Sequence, residues 1–388
     1  MNARQRAANL LRKLDLLFFD AGGGHRAAAT ALQAACQAQQ RPWEIRLVNL
    51  QELLDSLDIF RRVTGIRLQD IYNKLLARGW TLGSAQMLPV MQGILRMYHR
   101  AGVRHLAAYW REAKPDMVVS LVPNLNRAAF EGLRSAAPGA RYVTILTDLA
   151  DYPPHFWMER QEQYFVCGTA RAEEQALAMG HSREKVLVAS GMILQPKFYD
   201  SMTADRGAER ARLGLRPDLV TGMVLFGGQG SSVMYEIARQ VDESRLDIQL
   251  ILICGKNEKL AARLREGKWR MPLLVEGFTR EIPYYMHLSD FFVGKPGPGS
   301  LSEALHMKLP VIVERNSWTL PQERFNTEWV RQNHYGVVIG SFREVIPAME
   351  KLLEPEFYTR CRVSAAAHTN RSVFEIPEIL ERILDAPR

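Results

Sequence analysis

The chain has 388 residues, 47% of them hydrophobic and 24% charged, with a formal net charge of +8. That length exceeds one ordinary domain and fits two, and the apolar share excludes an intrinsically disordered chain. The modest basic excess suits phosphate ligands or anionic lipid headgroups, occurs equally in proteins with neither partner, and selects nothing by itself.

Residues 1–14 are basic and lack the continuous apolar core of a secretory signal, and no run of roughly 18 apolar residues occurs anywhere. This predicts a cytoplasmic chain whose contact with a membrane is peripheral. Residues 14–20 form a short apolar run that empties into Ala21-Gly22-Gly23-Gly24, followed by an Ala-rich stretch over 26–40. The pattern reads as a buried strand, a tight loop and a helix. Further strands are expected over 45–49, 117–121, 142–146, 164–167 and 186–189, separated by helical stretches. Strand–helix alternation implies a parallel sheet covered by helices.

The pattern then restarts. Residues 191–214 read as a linker and a helix, 222–226 as a strand, and Gly227-Gly228-Gln229-Gly230-Ser231 as a second Gly-rich loop opening a helix over 233–241. Strands over 249–254, 273–276, 291–294 and 311–314 continue the series, and 376–384 closes the chain as a helix. The expected architecture is therefore α/β of the GT-B kind, two Rossmann-like domains facing across a cleft. Their boundaries are 1–195 and 196–388, and ligands bind outside the carboxyl ends of the strands.

Between 52 and 114 lies a helical insertion that a plain Rossmann domain does not need. It carries ten basic residues (Arg61, Arg62, Arg67, Lys74, Arg78, Arg96, Arg100, Arg104, Arg111, Lys114) against five acidic ones (Glu52, Asp55, Asp58, Asp70, Glu112). Trp80, Met87, Leu88 and Tyr98 are interleaved with them. The mixture suits an anionic membrane surface, and an ordinary helical subdomain with a solvated basic face reads the same way. Cys36, Cys167, Cys254 and Cys361 are far apart and show no C-x-x-C spacing, which predicts buried free thiols.

Loop 227–231, between a strand and a helix, is a candidate diphosphate site, because exposed backbone N–H groups and the positive helix end attract anions. A tight structural turn would look alike. A third Gly-rich stretch, Gly294-Lys295-Pro296-Gly297-Pro298-Gly299-Ser300-Leu301-Ser302-Glu303, also joins a strand to a helix. Gly297 and Gly299 permit close backbone approach. Ser300-x-x-Glu303 fits a capping box, with Ser300 capping the helix and Glu303 in its first turn; alternatively Glu303 accepts from ribose hydroxyls. Gln322, Glu323 and Asn326 could grip sugar hydroxyls or simply start a helix after Pro321.

Taken in order, these segments resemble glycosyltransferase family 28, in particular the monogalactosyldiacylglycerol synthases of plants and the processive diacylglycerol glucosyltransferases of bacteria. The resemblance runs from about residue 14 to about residue 339. It rests on Asp20-Ala21-Gly22-Gly23-Gly24-His25-Arg26-Ala27; on Thr147-Asp148-Leu149 followed by His155, Phe156 and Trp157; and on Gly227–Ser231, Cys254-Gly255-Lys256-Asn257, Gly277-Phe278, the Lys295 to Glu303 stretch and Gln322-Glu323-x-x-Asn326. The peptidoglycan N-acetylglucosaminyltransferase shares the second-half motifs; Asp148-Leu149 and the insertion look more like the glycerolipid branch.

The resemblance implies a UDP-sugar donor on the C-terminal domain and a lipid acceptor, diacylglycerol, at the inner face of the cell membrane. It assigns Gly228, Gln229, Gly230 and Ser231 to the diphosphate, Phe278 to uracil and Glu303 to ribose. Gly297, Gly299 and Ser300 would line the nucleotide, while Gln322, Glu323 and Asn326 would read the hexose. On the acceptor side it implies His25 as general base in the loop of Gly23 and Gly24, with Asp148 orienting it or acting as the base itself. No Asp-x-Asp is present, so neither a catalytic metal nor another cofactor is expected, and no nucleic-acid partner is. Pro321 and the stretch Arg315-Asn316-Ser317-Trp318-Thr319 depart from the family's pattern beside the sugar-reading residues. A UDP-N-acetylhexosamine-using transferase or epimerase of the same architecture, or a non-catalytic UDP-sugar sensor, remains the alternative.

Overall fold

The computed structural model describes residues 11–20, 23–54 and 84–387, the last range with side chains from residue 98 onward. Most of the predicted membrane-facing insertion, residues 55–83 with Arg61, Arg62, Arg67, Lys74, Arg78 and Trp80, lies outside the described residues, as do the side chains of Met87, Leu88 and Arg96. The chain forms two compact units. The first is built on the chain up to Pro196 together with Arg371–Arg388, the second on Lys197–Asn370.

The first unit holds a six-stranded sheet in the order β2-β1-β3-β4-β5-β6. Its strands are β1 (Arg12–Phe18), β2 (Trp43–Asn49), β3 (Met117–Ser120), β4 (Arg141–Ile145), β5 (Tyr164–Cys167) and β6 (Val186–Val188). All five pairings are parallel. The period-two geometry of a strand sorts β1 cleanly. Leu14, Leu16 and Phe18 point to one face, where Ala29, Leu32 and Cys36 of the helix Gly24–Ala38 cover them. Leu17 points to the other face, against Leu106 and Trp110 of the helix Ser84–Ala113 and Leu133 of Asn126–Ala136. Burial on both faces is why the run reads as continuously apolar.

The last helix, Ser372–Asp385, belongs with the first unit although it follows the whole of the second in sequence. Its Ile376, Ile379, Leu380 and Ile383 join the cluster under Leu14 and Leu32, each such burial contributing about 1.5–3 kcal/mol. Polar ties fix its register: Glu375 accepts from the Ser190 amide at 2.7 Å, Ser372 Oγ donates to the Met192 carbonyl at 2.6 Å, and Glu381 pairs with Arg41.

The second unit has its own six-stranded parallel sheet, ordered β12-β11-β10-β7-β8-β9. The strands are β7 (Val220–Leu225), β8 (Ile248–Ile253), β9 (Leu273–Glu276), β10 (Phe291–Gly294), β11 (Val311–Glu314) and β12 (Gly336–Ile339). Strand β12 escapes the sequence reading because it is a four-residue edge strand and only half-buried. Strand order reverses between β1 and β3 in the first sheet and between β7 and β10 in the second. The loops leaving the carboxyl ends of such strands are where ligands bind in open α/β sheets. Both units are thus Rossmann-like, as expected. All four cysteines are buried and free, and among the described residues no helix is long and apolar enough to cross a membrane.

Candidate functional site

In the first unit, β1 runs into the helix Gly24–Ala38, with Gly23 as the N-cap at φ +83°, a left-handed conformation that only glycine adopts cheaply. Gly23 and Gly24 are exposed. Asp20 and Arg26 bracket the loop as a bidentate ion pair, and Asn49 Nδ2 donates to Asp20 at 3.1 Å. His25 occupies the first turn. Its Nδ1 is 3.0 Å from Thr147 Oγ1, and its ring lies against Phe19 (centroids 6.3 Å apart) and Trp157 (5.9 Å). This surrounding of carbon desolvates the ring and brings its pKa down to about 4, against the pull of a hydrogen bond to the Leu121 backbone.

Asp148 follows β4 and is buried. Its Oδ2 accepts from Trp157 Nε1 at 2.8 Å. Burial raises its pKa to about 6; the Trp157 hydrogen bond opposes the rise and the nearby negative charge of Asp151 adds to it. The structure thus brings together the two residues singled out from sequence, with one correction. Asp148 does not orient His25 directly. The hydrogen bond on His25 Nδ1 is made with Thr147, while Asp148 Oδ2 accepts from Trp157, whose ring lies beside the imidazole.

In the second unit, Gly227 (φ +72°) and Gly230 (φ +62°) shape the turn between β7 and the helix Val233–Glu243. The turn stacks on the loop after β8. A Cβ on Gly230 would sit 2.4 Å from the Cys254 carbonyl oxygen, and one on Gly255 would sit 2.4 Å from that of Gly228. Lys256 N donates to Gly228 O at 2.9 Å. Gly228 and Gln229 stand exposed beside Ser231. The N-cap residue Ser232 makes no side-chain capping bond, which suits an anion at that helix end. Phe278 is 61% exposed, with Lys256 Nζ 5.6 Å from its ring centroid, so a flat apolar face is open to a planar base.

Across the β7/β10 reversal, the helix Pro298–His306 starts one residue after its N-cap, Gly297. This corrects the capping-box expectation. Ser300 lies inside the first turn rather than capping it, and Glu303 falls in the second turn, where no capping contact is within reach. Pro298 sets the start, since proline at the first helical position needs no N–H partner. Glu303 is half-buried and its carboxyl has no hydrogen bond or ion pair among the described residues; burial alone pushes its pKa up to about 7. Pro321 has the same explanation: it opens the helix Pro321–Gln332, placing Gln322 and Glu323 in the first turn. Glu323 Oε1 comes 3.6 Å from where a Gly297 Cβ would be, with Ser300 Oγ at 3.7 Å, so Glu323, Gly297 and Ser300 form one cluster. Gly299 beside them is exposed. Asn326 is different. It is fully buried, and its Nδ2 donates to the Pro296 carbonyl at 2.7 Å. Through that bond it braces the Gly-rich turn, while its Oδ1 is buried with no hydrogen-bond partner among the described residues.

No family model matches the chain. Among curated proteins, monogalactosyldiacylglycerol synthase 2 of Arabidopsis thaliana is 26% identical over 362 residues, 88% of this chain and 72% of that one. The monogalactosyldiacylglycerol synthase of Spinacia oleracea is 26% identical over 374 residues, 89% of this chain and 67% of the other. The chain is a relative of these synthases, a glycosyltransferase in class. Both relatives are named as chloroplastic. Among solved structures, Acinetobacter baumannii MurG superposes with a TM-score of 0.63 at 12% identity, covering 96% of this chain and 99% of that one. S. aureus MnaA, solved with UDP, gives 0.62 at 16% identity over 97% and 99%. These likenesses place the fold, and the synthase likeness extends the motif resemblance along nearly the whole length.

Proposed function

We propose that the protein is an inverting glycosyltransferase that moves a hexose from a UDP-sugar to diacylglycerol at a membrane surface. The observation that carries this reading is the arrangement at the β7/β10 reversal. A helix start capped only by a 3.4 Å bond from Val233 N to Ser231 Oγ, and a turn with positive φ at Gly227 and Gly230, stand on one side; a half-buried Glu303 side chain without a partner, beside the Gly297–Glu323 cluster, stands on the other. Diphosphate, ribose and hexose ask for that set of groups. Glu303 accepts from the ribose hydroxyls, Phe278 lies on the uracil, and Gln322 and Glu323 read the sugar. The first unit supplies the proton acceptor. The glycerol oxygen forms its bond to the anomeric carbon as the bond to the diphosphate oxygen breaks; the hydroxyl proton passes to the neutral His25 ring, and UDP leaves. Backbone N–H groups and the helix dipole at 228–231 meet the charge that grows on the leaving diphosphate. Incubation with labelled UDP-sugars and diacylglycerol vesicles tests the reading: a labelled glycolipid is expected. A labelled sugar epimer with no glycolipid would replace it by an epimerase, and binding without turnover by a sensor.

The two carboxyl-side groups predict a pH profile. Asp148, at about 6, is ionised at neutral pH and takes a proton as pH falls through 6, while His25, at about 4, stays neutral throughout. With the UDP-sugar saturating, so that Glu303 is engaged, the acid limb of kcat should therefore fall near pH 6 with the slope of one proton. In Asp148→Asn that limb should vanish; a limb still near 6 would assign it to another group.

The membrane part of the proposal rests on the basic excess of the 52–114 segment, each Lys or Arg near an anionic surface contributing about 1 kcal/mol. Co-sedimentation with anionic vesicles should weaken as salt rises, because exposed charges are screened. It should weaken further when Arg61, Arg62, Arg67 and Arg78 are changed to Glu. Equal binding by both proteins would remove the segment from membrane docking.

A further inference from the structure

The segment between Asp148 and Met158 holds a carboxylate to which the reaction above gives no role. We infer that Asp151 is a positioning residue for transfer: it clamps the turn that carries Trp157, and Trp157 in turn holds Asp148 and faces His25. The inference rests on the proposed roles of His25 and Asp148.

Asp151 is 2% exposed. Its Oδ1 accepts from the Trp157 amide at 2.6 Å and its Oδ2 from the His155 amide at 3.0 Å, so one carboxylate closes a seven-residue turn from 151 to 157. Its own backbone is tied on both sides by a single amide side chain: Gln175 Oε1 accepts from Asp151 N at 2.8 Å, and Gln175 Nε2 donates to Asp151 O at 3.0 Å. Gln175 sits on the helix Ala170–Ala178, whose Ala172 and Ala176 pack into the cluster that also holds Trp157. The turn is therefore pinned to rigid structure. Inside it His155 adopts φ +65°, a left-handed conformation uncommon for residues other than glycine.

What the clamp delivers is Trp157. Its side chain is fully buried, its Nε1 donates to Asp148 Oδ2, and its ring lies 5.9 Å from that of His25 at an interplanar angle of 55°. A second anchor is its carbonyl, which accepts from Asn126 Nδ2 at 3.0 Å. Burying a carboxylate is expensive unless it is fully hydrogen-bonded. A turn needed for shape alone has cheaper solutions, and here the charge also acts on Asp148, as the neighbour whose negative field favours the protonated form.

Asp151→Asn and Gln175→Ala separate geometry from charge. In Asp151→Asn, the carboxamide keeps one acceptor and loses the charge. We expect kcat to fall roughly 10–100-fold, the scale of a misplaced reacting group, with the KM for UDP-sugar and the affinity for UDP unchanged. The acid limb should move to lower pH. In Gln175→Ala, kcat should fall with the limb left near 6. Wild-type kcat and an unmoved limb in Asp151→Asn would overturn the inference. So would parallel losses of kcat, UDP affinity and thermal stability, which mark a purely structural residue. Full activity in His25→Ala and Asp148→Asn would instead remove the reading beneath it.

Discussion

His25→Ala lowers turnover by about 10²–10⁴-fold, the usual contribution of a positioned general base, and leaves UDP affinity at the wild-type value. The split follows from where the residue sits. His25 belongs to the first unit, in the first turn of the helix Gly24–Ala38, and its contacts are Thr147, Phe19 and Trp157. The nucleotide-facing loops belong to the second. A ring kept neutral by its carbon surroundings accepts a proton over the whole working range, so the variant's residual activity should show no titration attributable to imidazole. Isothermal titration with UDP and single-turnover transfer on one preparation separate the two quantities. Wild-type turnover in His25→Ala would shift the base to Asp148.

Glu303→Ala weakens UDP-sugar binding by about 1.5–3 kcal/mol, the worth of a hydrogen bond to a charged acceptor. Because the carboxyl titrates near 7 in the free protein, wild-type affinity should rise with pH through that value and flatten above it, and the Ala variant should show no such slope. The same shift fixes an effect on stability. A carboxyl whose folded pKa is raised keeps its proton in the folded state after the unfolded chain has lost it. It therefore costs stability progressively as pH rises from about 4.5 to about 7, and the cost stays constant above. Glu303→Gln should have a higher Tm than wild type at pH 8 and the same Tm at pH 4. A helix-capping role would lower Tm and leave affinity alone, the reverse result. Measuring both on each variant decides the matter.

The two halves of the chain were legible because buried parallel strands need apolar side chains on both faces. Leu14, Leu16 and Leu17, and likewise the β8 run Ile248–Ile253, carry that demand in consecutive residues. Glycine was legible for a similar reason: at Gly23, Gly227 and Gly230 the backbone takes positive φ, which few other residues tolerate. The order of the motifs carried the resemblance to the synthases. Of the two readings left open at Ser300 and Glu303, the capping box fails, because a proline at 298 starts the helix earlier than the Ser-x-x-Glu spacing suggested. The spacing also did not show that Asn326 is buried with its Nδ2 bonded to the Pro296 carbonyl.

The sequence by itself determined the alternation of strands and helices, the positions of the three glycine-rich turns and the residue types that stand beside them, since these depend on local sterics and on periodicities of two and 3.6. The tertiary structure decided the rest. Thr147 rather than Asp148 meets His25 Nδ1, Trp157 links the imidazole to the carboxylate, Glu303 is left without a partner, and the last helix returns to the first unit. The His25–Thr147 bond and the return of the last helix join segments far apart in the chain. Hydrogen-bond pairing and desolvation depend on what is brought alongside a group in space, and no spacing along the chain encodes that.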